Sequence, residues 1–317
     1  MPGSICKSSN ERGAFGLVVS RGCPYNRCAF CDLYKGTTYR EVPLEEVERE
    51  LRRVHDVGGA PTNLMLGDGD ALHMDFGRLM AILDLVERYL PSVERITSDA
   101  TVTSISRKTD EELRELRRRG YAMVYVGIET GLDDVLRQMR KDHTNDQARE
   151  QVRRLHAAGF ELGAHIMTGV AGAGRGAENA RATARLLNEL RPSFITNFNL
   201  SVAPLTELGL MEEDGEFVRA SDLECMEEER LLVSELAIDT VFEGYHTKHV
   251  ACGERVAAGD GPEWQRAITQ WVHTKARLPE GRGRILAKLD ASIAQLERAS
   301  RQGAAPRPEA CAEPVLG

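Results

Sequence analysis

Short apolar runs alternate with longer amphipathic stretches from Phe15 onward, and this alternation limits the possible folds more than any other feature of the chain. Such a pattern is typical of repeated strand and helix units, which pack as a parallel sheet covered by helices. The predicted strands cover residues 15–20, 63–66, 95–97, 123–128, 161–167 and 194–200. Six such units predict an α/β fold, a partial (β/α)6 barrel in preference to a closed eightfold one.

The alternation ends near Pro204, and it divides the chain into four predicted segments. These are an N-terminal segment, the barrel, a mostly helical C-terminal extension and a disordered tail: 1–14, 15–204, 205–300 and 301–317. An irregular loop is expected at 244–261, followed by a last helix that packs back on the barrel. The tail combines prolines with small residues, and such a segment buries too little apolar surface to fold by itself.

Charge and hydropathy exclude several classes of function. The 317 residues carry a formal net charge of -8, whereas surfaces that bind nucleic acid or anionic membranes need an excess of Lys and Arg. No apolar run approaches the roughly 20 residues that span a bilayer, and residues 1–9 lack the apolar core of a signal peptide. We therefore expect a cytoplasmic protein without a nucleic-acid partner or a membrane contact.

Three of the seven cysteines, Cys23, Cys28 and Cys31, lie directly after the first predicted strand. Disulfide scaffolds spread their cysteines more evenly, so in a reducing compartment this clustering indicates metal binding. Thiolates are the usual ligands of iron-sulfur clusters, and a cubane with three protein ligands keeps one iron open for the amino and carboxylate groups of a substrate. The alternative is a zinc site, which normally takes four protein ligands.

The segment CPYNRCAFC, residues 23–31, resembles the cysteine loop of the radical S-adenosylmethionine (SAM) superfamily. Its spacing is C-x4-C-x2-C, whereas the commonest spacing in that superfamily is C-x3-C-x2-C. The longer stretch CAFCDLYKG, residues 28–36, is similar to a branch often labelled oxygen-independent coproporphyrinogen oxidase-like. The resemblance implies a 4Fe-4S cluster on the three cysteines, SAM at its open iron, and a contact between Phe30 and the SAM adenine.

The resemblance also implies SAM contacts where later strands end. Asp68, Gly69 and Asp70 stand where the superfamily holds the SAM ammonium group, with Asp70 as the favoured side chain, although a plain turn is the alternative. Glu129, within the segment 127–131, corresponds to a position near the SAM ribose and methionyl part. Helix capping is the alternative role for this carboxylate.

The fifth predicted strand and two cations complete the predicted SAM site. Ile166 lies in a segment similar to the G-x-I-x-G adenine contact of the superfamily, where backbone groups make the contact. Lys141 or Arg175 would pair with the SAM carboxylate, unless they are solvated surface charges. His165 either serves the substrate from the barrel interior or is an interior histidine with its hydrogen bonds satisfied.

Cys252 is the candidate catalytic residue of the C-terminal extension. It lies in a polar stretch, residues 245–253, that we expect to form a loop over the barrel mouth. A thiol there would return a hydrogen atom to a substrate radical. An ordinary loop cysteine is the alternative.

By this resemblance the chain is an oxidoreductase that acts on a small organic substrate, such as a natural-product or cofactor intermediate. A low-potential reductant such as flavodoxin or ferredoxin would reduce the cluster, and cleavage of SAM would give methionine and a 5′-deoxyadenosyl radical that abstracts hydrogen from the substrate. Two other functions stay open, a non-catalytic iron-sulfur electron-transfer protein and a zinc-stabilised binding protein.

Overall fold

The computed structural model describes residues 9–252 and 266–301, and one eight-stranded sheet forms its framework. The strands are β1 (Phe15–Val18), β2 (Ser20–Arg21), β3 (Arg40–Glu41), β4 (Asn63–Asp70), β5 (Arg95–Ala100), β6 (Tyr121–Glu129), β7 (Glu161–Thr168), β8 (Phe194–Asn199), β9 (Thr240–Cys252) and β10 (Arg266–Leu278). The sheet order is β1-β4-β5-β6-β7-β8-β9-β10, and β2 pairs with β3 in a separate ribbon. Only β9 and β10 pair antiparallel within the large sheet.

Helices follow the strands, as the alternation predicted. They are α1 (Leu44–Asp56), α2 (Phe76–Tyr89), α3 (Val102–Ser106), α4 (Asp110–Arg118), α5 (Asp133–Gln138), α6 (Asn145–Ala157), α7 (Gly176–Leu190), α8 (Glu207–Glu213), α9 (Asp222–Glu235) and α10 (Arg282–Arg301). Three of them begin at a capping box, in which a hydroxyl and a side chain three residues later satisfy the first backbone donors: Thr109, Thr144 and Ser221. The arrangement confirms the α/β partial-barrel fold with a helical C-terminal part.

The two faces of the large sheet have different surroundings, because side chains alternate along each strand. On β6, Val124 and Val126 belong to the main apolar core, which the helices share. Tyr125 points to the opposite face, where it packs with Phe194 of β8 in a separate cluster. We call this second face the inner face, and the carboxyl ends of the parallel strands form its upper edge.

The N-terminal residues close the lower end of the inner face. Asn10 and Glu11 lie in a short 3-10 helix just before β1. The Tyr125 hydroxyl donates to Glu11 Oε1 at 2.7 Å, and Asn10 Nδ2 donates to the same hydroxyl at 3.0 Å. The buried Glu11 carboxylate therefore covers Tyr125 from below.

The C-terminal extension contains two long strands that the sequence did not indicate. β9 adds parallel to β8, and β10 pairs with β9 in an antiparallel hairpin. The irregular loop expected at 244–261 is therefore wrong as far as Cys252, because residues 244–252 form strand. The expected return of the last helix is confirmed, since Ile285 and Leu289 of α10 are buried in the main core. The tail 302–317 lies outside the described residues.

Candidate active site

The three predicted cluster ligands lie in the loop that leaves β2, and all are free thiols of intermediate burial. Backbone contacts anchor this loop at Ala29, whose N–H donates to the carbonyl of Met139 after α5 at 2.9 Å. The carbonyl of Ala29 in turn accepts from the N–H of Leu208 in α8, also at 2.9 Å. The cysteine loop, residues 22–36, is therefore held between two helices beside the upper edge of the sheet.

Burial governs the protonation of the thiols. Burial raises the pKa of Cys28 to about 11, partly opposed by the nearby Lys141 ammonium, and burial also raises the pKa of Cys31. Burial therefore favours the protonated thiol at both positions, and metal binding would displace the protons, because the thiolate is the ligand. Two partly buried thiols beside a buried cation suit a metal-thiolate centre, since the cation offsets some of the negative charge.

The donor geometry bears on the kind of metal. Within residues 9–252 and 266–301, no group of three or more Cys, His, Asp or Glu side chains converges as a single metal ion requires. A cubane presents a separate iron to each thiolate, so its ligands need not converge on one point. Whether these three thiols hold such a cluster stays a prediction at this point.

A buried ion pair lies at the carboxyl end of β6. Lys141 Nζ donates to Glu129 Oε1 at 3.0 Å, and the side chains are only 7% and 9% exposed. Burial alone would lower the pKa of Lys141, but the charges of Glu129, Cys28 and Asp142 and the hydrogen bond to Glu129 together outweigh burial and raise this pKa above its usual value. Gly127 makes room for the pair, because a Cβ there would meet both the Glu129 carboxylate and the Lys141 amine.

The last residues of β4 lie against the cysteine loop. Gly69 has a left-handed φ of 83°, and a Cβ at this position would collide with the carbonyl oxygen of Gly22, the residue before Cys23. Asp68 Oδ1 accepts a hydrogen bond from the Tyr34 hydroxyl, which also belongs to the cysteine loop. The contacts bring Asp68 and Gly69 to the cluster side of the site.

Asp70 has local partners for both carboxylate oxygens. Its Oδ2 accepts from the N–H of Thr101 at 2.9 Å, from the Thr101 hydroxyl at 2.8 Å and from the Ser104 hydroxyl at 2.5 Å. Its Oδ1 accepts from the N–H of His73 at 3.1 Å. Asp70 therefore holds the start of α3, and a contact with SAM stays a prediction.

Three other predicted SAM contacts lie in different settings. Phe30 packs on an apolar cluster that includes Val170 after β7 and Leu200 after β8, at the upper edge. Ile166 is 1% exposed in the main core, so only its backbone is available to a ligand at the upper edge. Arg175 is partly exposed and pairs with Asp134 at 2.9 Å and Glu178 at 2.8 Å. Of the two candidate cations, Lys141 is the one beside the cysteine loop.

One acid at the upper edge was missed. Asp99 is the second-to-last residue of β5, and burial, together with the charges of Asp70 and Asp68, raises its pKa to about 8. An acid at the carboxyl end of a parallel strand is a recognisable signal, because β/α barrels place their chemistry there. The segment Ser98-Asp99-Ala100 carried that signal.

His165 faces the inner side of the sheet, and a role toward the substrate stays a prediction. Its ring stacks on Tyr125 with centroids 5.6 Å apart and meets Phe198 edge-on at the same distance. Its Nε2 atom has no hydrogen-bond partner among the described residues. An interior histidine with satisfied hydrogen bonds is therefore not what the structure has. Cys252 is the last residue of β9, and its side chain lies outside the described part of the chain.

Comparison with known proteins identifies the family. The model of the radical SAM superfamily matches residues 17–187, more than half of the chain, and the protein belongs to that superfamily. It is 26% identical over 171 residues to 4'-phospho-dehydrooxetanocin synthase of Priestia megaterium, covering 49% of this chain and 23% of that protein. It is 30% identical over 164 residues to hopanoid C-2 methylase of Rhodopseudomonas palustris (strain TIE-1), covering 49% and 29%. The matches thus span about a quarter of the length of these relatives.

Solved structures agree on the fold. Coproporphyrinogen III oxidase of Escherichia coli aligns with a TM-score of 0.56 at 14% identity, covering 74% of this chain and 53% of that one. A radical SAM methyltransferase of Kitasatospora setae, with cobalamin and a [4Fe-4S] cluster bound, aligns with a TM-score of 0.51 at 19% identity, covering 64% and 39%. The fold thus agrees with membership of the radical SAM superfamily, as the sequence predicted, and that superfamily uses a 4Fe-4S cluster and SAM. No helix among the described residues is long and apolar enough to cross a membrane.

Proposed function

We propose that Cys23, Cys28 and Cys31 hold the 4Fe-4S cluster, and that the enzyme uses SAM to abstract a hydrogen atom from a small organic substrate. The observation that carries the proposal is the position of three free thiols in one anchored loop, against Gly69 and beside the buried Lys141. When bound, cluster and SAM together supply a 5′-deoxyadenosyl radical that attacks an unactivated carbon.

The surrounding residues bind and orient the cosubstrate. Lys141 is the buried cation nearest the loop, so it is suited to the SAM carboxylate, with Glu129 keeping it charged and oriented. Asp68 and the backbone at Gly69 would receive the ammonium group, because carboxylate and carbonyl oxygens accept from it. The Phe30 ring and the backbone of Ile166 would bracket the adenine.

The inner face offers the substrate a place between the SAM site and the buried Glu11. Side chains that line such a space position the reacting carbon of the substrate and keep water away from a radical. The two curated relatives are named as a synthase and a methylase, which is compatible with a natural-product or cofactor intermediate as substrate. A low-potential reductant such as flavodoxin or ferredoxin would supply the electron in the cytoplasm.

Anaerobic reconstitution with iron and sulfide tests the proposal. The measurements are bound iron, the cluster absorbance and 5′-deoxyadenosine formed from SAM with dithionite. Cys28→Ala should abolish 5′-deoxyadenosine formation, because a cubane that loses one of three thiolates does not hold SAM productively. Cys225→Ala is the matched control, since this free thiol is buried on α9 outside the loop, and it should keep the activity.

Each other outcome has a definite meaning. SAM cleavage by Cys28→Ala at the wild-type rate would contradict the ligand assignment. A cluster that ignores SAM would indicate the electron-transfer protein instead, because a carrier has no need of the cosubstrate. A colourless, iron-free anaerobic preparation would favour the zinc-stabilised binding protein.

A further inference from the structure

Two polar atoms on the inner face lack hydrogen-bond partners. Nε2 of His165 on β7 and Oγ1 of Thr196 on β8 are out of contact with solvent, and neither has a partner among the described residues. The two residues are direct cross-strand partners. A buried polar group without a hydrogen-bond partner destabilises the folded protein, so a ligand that completes both hydrogen bonds is favoured.

Aromatic rings surround this polar pair. An aromatic row crosses five neighbouring strands, with one ring from each strand: Tyr125, His165, Phe198, Tyr245 and His273. Phe198 and Tyr245 are stacked with centroids 6.1 Å apart, and Tyr245 and His273 with centroids 4.9 Å apart. Phe198 is 37% exposed although it is large and apolar, so part of the row is open to a ligand. Flat rings favour offset stacking on such a surface.

Charge on this wall is largely compensated. The buried carboxylate of Glu243 accepts from the Tyr245 hydroxyl at 2.7 Å and pairs with His273 at 2.7 Å and Lys275 at 3.2 Å. Burial lowers the pKa of His165 to about 4, so its ring is neutral at physiological pH and has one donor and one acceptor nitrogen. The wall therefore suits a neutral ring better than a charged chain.

We propose that the substrate carries a planar aromatic or heteroaromatic ring, which stacks on the aromatic row and hydrogen-bonds through a polar edge group to His165 Nε2 and Thr196 Oγ1. This inference rests on the proposed function, because it concerns the substrate of the same radical site. His165 is also the cross-strand partner of Gly127, which adjoins the Glu129–Lys141 pair, so a ring held there lies next to the SAM site.

The position of the row along the chain supports a role in substrate choice. The match to the superfamily model ends at residue 187, whereas Phe198, Tyr245 and His273 lie on β8, β9 and β10 beyond it. The residues proposed to hold the cluster and SAM all lie before residue 187. Three of the five rings of the row are therefore supplied by strands that the superfamily model does not cover, whereas Tyr125 and His165 lie within the match.

Three ring probes test the inference on the reconstituted enzyme with SAM and without reductant. Benzimidazole has a planar ring with a donor and an acceptor, indane has a similar shape without either, and cyclohexanol has a polar group without a planar ring. Saturation-transfer NMR titrations measure each affinity. We expect benzimidazole to bind more tightly than indane by about 3- to 10-fold per hydrogen bond made, and indane more tightly than cyclohexanol.

Variants assign the effect to the two atoms. His165→Phe keeps an aromatic ring, and Thr196→Val keeps the shape of the side chain, so each should reduce the preference for benzimidazole over indane by about 3- to 10-fold. Thr240→Val is the matched control, because Thr240 Oγ1 is equally buried and unpartnered but lies on the same face as Phe242, which belongs to the main core. This control should keep the wild-type preference.

The inference is overturned if the wild-type enzyme does not prefer benzimidazole over indane, or if cyclohexanol binds as well as either planar ring. It is also overturned if both His165→Phe and Thr196→Val keep the full preference. Formation of 5′-deoxyadenosine by the wild-type and Thr240→Val proteins is measured in parallel. If the wild-type enzyme cleaves SAM but shows no preference among the ring probes, only the proposed substrate class is refuted. If the wild-type enzyme does not cleave SAM at all, the proposed function is refuted.

Discussion

Removing the cation of the buried pair should destabilise the protein far more than removing a partly exposed cation. Lys141→Met leaves Glu129 buried without its charge partner, and losing one member of a buried pair costs about 3–5 kcal/mol. Arg175→Met is the control, since Arg175 also pairs with two carboxylates but is partly exposed, and exposed pairs contribute about 0–1 kcal/mol. A typical domain has a free energy of unfolding of about 5–15 kcal/mol, so the first loss is large.

A double variant separates the effect of the unpaired charge on stability from the effect of the altered packing. In the double variant, Glu129→Gln is added to Lys141→Met, so both charges are removed while the side chains keep similar lengths. We expect most of the lost stability to return, because the cost of Lys141→Met comes from an uncompensated buried charge. The coupling between the two substitutions then measures the interaction of the pair.

Urea unfolding of the cluster-free proteins is the assay, with fluorescence and circular dichroism as two probes of one transition. The pKa of Lys141 is raised in the folded state. The stabilisation that the ion pair gives the folded protein is therefore complete below the unfolded pKa of about 10.4, and it is lost only as the pH rises through the raised folded pKa. The contribution of Lys141 should therefore be constant between about pH 6 and 9. A Lys141→Met protein as stable as Arg175→Met, or a double variant no more stable than Lys141→Met, would refute the reasoning.

Three further predictions concern single residues. Asp70→Ala should weaken SAM binding while the cluster absorbance persists. It should also lower the melting temperature, since four donors lose their acceptor. Loss of the cluster instead would show that Asp70 has a structural role alone. Asp99 has a folded pKa of about 8, well above its unfolded value, so its burial costs stability increasingly between about pH 4 and 8. Asp99→Asn should therefore raise the melting temperature at alkaline pH and change it little near pH 4, and equal shifts at both pH values would contradict this. With an epimerase reaction, product made in deuterated water should carry solvent deuterium that disappears in Cys252→Ala; unaltered product would leave Cys252 an ordinary cysteine.

The barrel half of the fold could be predicted because each of its strands is recognisable as a short apolar run. β6 spans Tyr121–Glu129, and the sequence predicted 123–128, since a strand buried on both faces is a continuous apolar run. β9 and β10 carry polar residues on both faces, so they have no apolar run. Two of these polar residues, His246 and Thr274, hydrogen-bond to the buried Glu229 of α9. These hydrogen bonds offset the cost of burying the polar groups, and they form only when the chain has folded. Long-range pairing of this kind leaves no local sequence signal.

The candidate site could be predicted one residue at a time but not as an arrangement. Glu129 and Lys141 were each named from their places along the chain, yet their pairing depends on how α5 returns the chain to the end of β6. Asp70 was named from its position after the second predicted strand. Its bond from the His73 N–H is a local helix cap, whereas the donors of Thr101 and Ser104 come from a segment about 30 residues away that no spacing rule joins to it. Position along a strand is local information, whereas the identity of a partner is tertiary.

The cofactors could be predicted while the substrate could not, because the two kinds of binding site leave different signals in the sequence. The cluster and SAM require fixed chemistry, three thiolates and a few oxygen and nitrogen groups, so their residues form short motifs at strand ends. A substrate wall requires only that suitable side chains face inward on neighbouring strands. Phe198 and Tyr245 do so from segments that are 47 residues apart in the chain but adjacent in the sheet. The reaction outcome should therefore follow from the side chains of β7 to β10, and exchange of those residues between related enzymes should change the substrate without changing SAM cleavage.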